Sequence, residues 1–270
     1  MYHNLFDSHI HSDNSHDGHH SVMYMAERAQ SMGLTGIAIT DHADCHKLGQ
    51  PGYMNRILQS IYDVAKAKAA FRHRMTFGVG IEIGVDGHSA AADKLLKTYS
   101  FDFVLGAIHH TKEGNEYCVA PYDTNTPEQN KALLDGYFET MMEMVEWGGF
   151  DSLAHLNYPW RSASRLNVTL DMEPHKEQID VILKGLVEKG KALEVNTSGL
   201  RSPLGEMLPS LWILRRFREL GGEYITIGSD AHVIDHVGYG IPEAMDLLRH
   251  IGFEYFAFYR ARQPIMLRIV

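Results

Sequence analysis

Short apolar runs alternate with longer stretches of helical spacing along most of this chain. Asn4-Leu5-Phe6 is a brief strand that ends at Asp7, and His9 and His11 share a face if the backbone stays extended beyond it. Residues 22–32 carry an amphipathic helix with Ser21 as N-cap and Gly33 as stop, its methionines and Tyr24 facing the core. Gly36-Ile37-Ala38-Ile39-Thr40 is apolar throughout, as a strand buried on both faces should be. The segment 54–72 has helical spacing, and 76–81 is a strand that ends at Glu82. The rhythm continues with a strand over 103–108 and a helix over 127–146. A strand over 151–154 leads into His155, and a helix covers 179–189. A strand over 192–195 leads into Asn196, and a helix covers 208–220 with Pro209 in its first turn. A strand over 223–227 leads into Asp230 and His232, and a helix covers 243–250. The tail 253–270 alternates apolar and polar residues, which suits two short strands or an extended closing segment.

Strands alternating with helices in this way imply a parallel sheet. Seven such units without a Gly-rich nucleotide fingerprint favour a closed α/β barrel over an open sheet, as one domain. In such barrels the chemistry sits at the C-terminal ends of the strands. There the sequence places Asp7, His9, His11, Asp41, His42, Glu82, His109, His155, Asn196, Asp230 and His232.

Composition narrows the class. A chain of 270 residues, 44% apolar and 22% charged, can bury a core of ordinary size. It has no apolar run long enough to span a bilayer, and its first residues lack the features of a signal peptide. Cys45 and Cys118 are too few for a disulfide framework or a Cys-type zinc site, and the cytoplasm is the expected compartment. The net charge of −9 argues against a nucleic-acid partner but leaves room for a small anionic substrate in a local cationic pocket. The outlier is histidine. Seventeen residues are roughly two to three times the ordinary share.

Imidazole and carboxylate together suit divalent metals. A single histidine at a strand end is more often a hydrogen-bonded structural residue. Six strand ends supplying such groups on one rim are far harder to produce by accident, and they offer more ligands than one ion can use. The motifs His9-Ile10-His11, Thr40-Asp41-His42, Gly80-Ile81-Glu82, Ala107-Ile108-His109, Ala154-His155 and Ser229-Asp230-Ala231-His232 resemble, in order, those of the polymerase-and-histidinol-phosphatase (PHP) superfamily. The resemblance covers almost the whole chain. Glu194-Val195-Asn196-Thr197-Ser198-Gly199-Leu200-Arg201 and Arg262-Gln263-Pro264-Ile265-Met266 are similar to the histidinol-phosphate phosphatase branch.

The resemblance implies a distorted (β/α)₇ TIM-like barrel over residues 1–270, a single metal-dependent phosphoesterase domain holding two to three divalent ions of zinc, iron or manganese. It implies one ion on His9, His11, Glu82 and Asp230, a second on Glu82 as a bridge with His109 and His155, and a third on Asp17, His42 and His232. Asp17 stands where some relatives have histidine. Leu156 and Asn157 depart from the His-Pro and Asp that many members carry. Asp7 and Asp41 are expected to orient ligating imidazoles from behind. His16, His19, His20 and His110 match no ligand motif and read as loop or supporting residues.

Arg161 and Arg201 follow the fifth and sixth strand ends. Either alone would pass as a solvated surface charge, but guanidinium can grip phosphate bidentately, and Arg201 adjoins the Asn-Thr-Ser-Gly-Leu signature. The expected reaction is hydrolysis of a phosphate monoester, L-histidinol phosphate, by a hydroxide bridging two ions. Glu82, Asp230, Arg161 and Arg201 are the expected catalytic residues, with the two arginines also binding substrate. Asp230 or a histidine would protonate the leaving group. A phosphodiesterase or nuclease, a phosphotyrosine phosphatase and a non-catalytic metal-binding module are the alternatives.

Overall fold

In the computed structural model, which describes residues 2–87 and 89–270, the apolar runs lie parallel and side by side. The hydrogen-bonded order is β1 (Phe6–Ile10), β2 (Gly36–Ile39), β4 (Thr76–Gly84), β5 (Phe103–Ala107), β6 (Ser152–Leu153), β7 (Ala192–Asn196) and β8 (Ile225–Gly228). A short β3 (His42–Asp44) continues from β2 after a two-residue break and pairs with β4, His42 opposite Glu82. The ring all but closes where β1 meets the end of β8. There the His11 N–H donates to the Ala231 carbonyl at 2.8 Å and the Asp230 N–H to the His9 carbonyl at 2.9 Å. This is the single-domain, nearly closed seven-position barrel that the alternation of strand and helix implied.

Among the described residues, eight α-helices surround the strands. Helix α4 (Pro127–Trp147) shows why the sequence forms them. Proline opens it, Thr126 and Gln129 make a capping box, and Leu134, Tyr137, Phe138, Met141, Met144 and Val145 recur at helical spacing on the buried side. The alternation along β5 divides two cores. Phe103, Leu105 and Ala107 pack with Ala38, Ala154 and Ala192, whereas Val104 joins the larger core beneath the helices. Many of the first set are small because a hairpin enters beside them. Strands β9 (Tyr255–Arg260) and β10 (Gln263–Arg268) pair antiparallel, and Ala257 and Tyr259 complete that inner cluster.

Several elements differ from the sequence expectation. β1 starts later and runs on to Ile10, so Asp7 and His9 lie within it, and Glu82 lies inside β4 rather than at its end. The helices α3 (Ser89–Thr98) and α5 (Tyr158–Ser164) and the strand β3 are too short or too polar to stand out by periodicity. Tyr24 and Met32 of the α1 segment (α1, Val22–Ser31) are 47% and 45% exposed, so only Met25 of its methionines is fully buried. Pro209 precedes α7 (Leu211–Glu219), whose N-cap is Ser210, instead of occupying its first turn. The remaining helices are α2 (Tyr53–Ala70), α6 (Lys176–Glu188) and α8 (Ile241–Ile251).

Candidate metal centre

Glu82 is the middle of the site. It is 1% exposed, and imidazoles surround its carboxylate. Oε1 lies 2.9 Å from His155 Nε2, 3.3 Å from His109 Nε2 and 3.4 Å from His9 Nε2. Oε2 lies 3.6 Å from His11 Nε2 and 2.8 Å from His42 Nδ1. That last pair is close but lacks hydrogen-bond geometry, and both atoms are buried without a partner. Asp230 Oδ1 stands 3.7 Å from His9 Nε2 and 3.6 Å from His11 Nε2. Asp17, 44% exposed, reaches over the top, Oδ1 at 3.5 Å from His42 Nε2 and Oδ2 at 3.1 Å from His232 Nε2. Side chains from position 9 to position 232 thus converge on one mouth, in a cavity of about 520 Å³.

The fold holds these rings in place through groups that the motifs did not reveal. Glu194 Oε1 takes His9 Nδ1 at 2.7 Å, while Oε2 accepts the His155 backbone N–H at 2.9 Å. Asp44 Oδ1 faces His109 Nδ1 at 3.2 Å, and Ser15 Oγ faces His11 Nδ1 at 3.1 Å. The signal for Glu194 is a charged residue inside an apolar strand, which is costly unless it has a partner. Asp44 could not be found without β3. Gly228 makes the first arrangement possible, since a Cβ there would come within 2.3 Å of His9 Cβ and 2.5 Å of Glu194 Oε1.

The two expected supporting aspartates behave differently from each other. Asp7 touches no imidazole. It accepts the backbone N–H of His9 at 3.3 Å as well as the Ser229 N–H and hydroxyl and the Gly238 N–H, and so ties the backbone of His9 to the loop that presents Asp230. Asp41 works at one remove, accepting at 2.7 Å from Ser15 Oγ, which in turn faces His11. His155 and Asp230 both hold left-handed backbone angles, with φ of 25° and 55°. Residues other than glycine hold such angles at a cost, and they recur at functional sites. Asn157 is fully buried with neither side-chain atom partnered.

The electrostatics suit cations. Burial alone would push Glu82 up, but His109, His9 and His42 hold its carboxyl well below the usual range. Asp230 is held low in the same way, against burial, by Arg161 and then His9. Burial opposes a charge on His109, yet Glu82 and Asp44 raise its pKa to about 10. His9 and His42 are raised too, against burial, by Glu194 and Glu82 respectively as the strongest partners. Burial, then His232 and His42, pushes His11 well down. Apart from Arg161 beside Asp230, the charge of these ionised acids is met by protons on crowded imidazoles, and those protons are what a divalent ion would replace.

Sequence and structure comparisons fit this geometry. The profile of the PHP domain matches residues 7–198. This chain belongs to the PHP domain family. A probable histidinol-phosphatase of Thermotoga maritima is 33% identical over 94% of this chain and 95% of that relative. A probable histidinol-phosphatase of Clostridium acetobutylicum is 28% identical over 93% and 95%. Among solved structures, histidinol phosphate phosphatase from Lactococcus lactis, complexed with Zn, L-histidinol and phosphate, superposes with a TM-score of 0.79 at 24% identity. That match covers 97% of this chain and 99% of the other, and it shows a shared fold.

The two arginines also reach the PHP rim. Arg161, on α5, donates through Nη1 to Asp230 Oδ2 at 2.6 Å and to Ser198 Oγ, and its guanidinium lies 4.7 Å from the Tyr158 ring centre. Arg201 donates through Nη2 to the carbonyls of Ser229 at 2.7 Å and Asp230 at 3.2 Å. Both line the cavity, so neither is a free surface charge. Arg165 and His236 line it as well, and no motif pointed to either. His16 and His19 sit at the mouth, while His20 lies outside it. Cys45 and Cys118 are free thiols and stay out of the ligand groups among the described residues.

Proposed function

We propose that residues 1–270 form one metal-dependent phosphatase that hydrolyses L-histidinol phosphate to L-histidinol and phosphate, the reaction for which its PHP relatives are named. The observation that carries the metal chemistry is the set of five imidazoles crowded around one buried carboxylate, Glu82, with orphaned donor atoms between them. The donor set of nitrogen and oxygen suits zinc, iron or manganese. His9, His11, Glu82 and Asp230 would hold one ion. Glu82 would be shared with a second on His109 and His155. Asp17, His42 and His232 would hold a third. When bound, the ions supply Lewis acidity that makes water a nucleophile near neutral pH and takes up charge on the phosphoryl oxygens.

The chain's own side chains do the rest. Arg161 and Arg201 place two guanidinium groups beside Asp230, and each keeps a buried N–H without a partner, Nε of Arg161 and Nη1 of Arg201, that a phosphate oxygen could take. Asp230 is held ionised, which favours a ligand role over that of the proton donor to the leaving group. Asp7 and Arg201 hold the loop that carries Asp230 from two sides. A walled cavity of about 520 Å³ admits a small phosphorylated molecule, which favours a monoester over a nucleic-acid strand. None of the helices among the described residues is long and apolar enough to cross a membrane, and we place the enzyme in the cytoplasm as a biosynthetic phosphatase.

Assaying metal-replete protein against a panel of small phosphomonoesters, phosphotyrosine and a phosphodiester tests this. Histidinol phosphate should give the highest kcat/KM. A preference for phosphotyrosine would overturn the substrate assignment, and no hydrolysis of any of them would overturn the enzyme.

A further inference from the structure

Outside the Glu82 cluster, three more metal-type side chains meet on the same rim. His46 lies in the short 3-10 turn Cys45–Lys47 that follows β3, Asp86 follows β4, and His110 follows β5. Asp86 is 1% exposed and His110 4%. One Asp86 oxygen is engaged, since Oδ1 accepts the backbone N–H groups of His109 and His110, each at 3.2 Å. The other, Oδ2, is buried without a hydrogen-bond partner. It lies 3.4 Å from His110 Nδ1 and 3.6 Å from His46 Nδ1, and both of those nitrogens are also buried without a partner. Among the described residues no lysine or arginine pairs with this carboxylate.

Three buried polar atoms that face one point without a hydrogen bond among them are expensive to leave so. Their spacing repeats that of the main centre, where most imidazole nitrogens stand 3.3 to 3.6 Å from a Glu82 oxygen. The far side of His110 fits as well. Its Nε2 points to Glu116 Oε1 at 3.5 Å, the backing by a carboxylate that ligating histidines commonly have. Asp44, with one oxygen on His109 and the other on Lys47, adjoins this group and belongs to the main centre.

We propose that His46, Asp86 and His110 form a further divalent-cation site, separate from the Glu82 cluster and of the two-nitrogen, one-oxygen class that takes zinc, cobalt, iron or manganese. A cation there satisfies all three orphan atoms at once. It also ties together the loops after β3, β4 and β5. The β5 loop carries His109, whose backbone N–H already rests on Asp86. A cation there would therefore hold one side of the main centre in place, with His110 and Glu116 on the wall of the same cavity.

The test uses the full chain, stripped of metal and reloaded with cobalt or zinc. Anomalous diffraction at the metal edge should show a peak between His46, Asp86 and His110, apart from those beside Glu82. Metal analysis after desalting should find one equivalent fewer in His46→Ala than in the unsubstituted protein. No peak at this place in crystals that do show ions beside Glu82 overturns the proposal, as does equal metal content in a folded His46→Ala. The peak is read on the unsubstituted chain, so the test stands even if the variant fails to fold. A peak here with none beside Glu82 would support this site and count against the proposed phosphatase centre, so the two claims fail separately.

Discussion

At the N-terminal mouth of the barrel the β9–β10 hairpin fills the opening, and the buried and half-buried acids there are paired. Asp151 Oδ2 accepts from Arg262 Nε at 2.5 Å and from the Val104 N–H at 2.8 Å, and Asp102 accepts from the N–H groups of Val79 and Ala261. At the C-terminal mouth there is no such plug. Acids and imidazoles crowd together, and Glu82, His42, His46, Asp86, His110 and His155 all keep a buried atom without a partner. One mouth has been satisfied from within the chain. The other keeps buried polar atoms to which the described residues give no hydrogen-bond partner. The difference separates stability from function within one set of strands, as expected where barrel chemistry sits at the C-terminal face.

That contrast can be broken most severely at Glu82. Glu82→Gln keeps the shape but removes the charge that five imidazoles share, and turnover should fall by orders of magnitude while circular dichroism stays native. Metal analysis should show ions lost in parallel. Near-normal turnover in a folded, metal-poor variant would dissolve the distinction between the mouths.

A smaller effect is expected one layer back. Glu194→Gln leaves every ligand in place but weakens the group that orients His9 and the His155 backbone. Loss of such a partner costs about 10- to 100-fold in metal affinity or activity. Competition against a chelator of known affinity would measure it.

The pH dependence of the metal-free protein sharpens the comparison. The folded pKa of His109 is raised to about 10 by Glu82 and Asp44, against the effect of burial, and is about 6.5 in an unfolded chain. Its proton therefore stabilises the fold fully below about pH 6.5, and that contribution is lost as pH rises through about 10. His9 and His42 act in the same direction. Thermal melts should show the metal-free protein losing Tm across this window and the metal-loaded protein much less, since an ion replaces the proton. Identical profiles would mean that these imidazoles are not where the ions bind.

The mildest effect on activity is expected at the opposite mouth. Arg262→Ala strands the nearly buried Asp151 carboxylate and should cost about 2 to 4 kcal/mol of stability in denaturant melts. Activity per folded molecule should stay within about twofold, as for sites that share no partners. A large fall in kcat without loss of stability would show that the two mouths are coupled.

How far the sequence reaches differs between these regions. The barrel was legible because seven apolar runs and the helices between them repeat one local pattern, and local pattern is what periodicity reports. Elements without that pattern, such as β3 and α5, were not legible, nor was the late start of β1. The histidine and acid motifs were legible as residue types at strand ends. The structure brings His9, His11, Asp17, His42, Glu82, His109, His155, Asp230 and His232 together with Arg161 and Arg201, and it sets Asp7 on the backbone of His9 rather than on an imidazole. Glu194 and Asp44 went unassigned, because support from behind a ligand depends on which strands are neighbours across 185 and 65 positions of sequence.

The order of amino acids by itself determined that short buried strands would alternate with amphipathic helices, and that their ends would carry metal-type side chains. Hydrophobicity and backbone preference are local properties, and each residue brings them wherever it goes. Only the nearly closed barrel decided which of those ends face one another, which atoms were left without partners, and that His46, Asp86 and His110 gather beside the main cluster rather than within it. Those outcomes depend on distances between groups far apart in the chain, and such distances come into being only when the ring of strands closes.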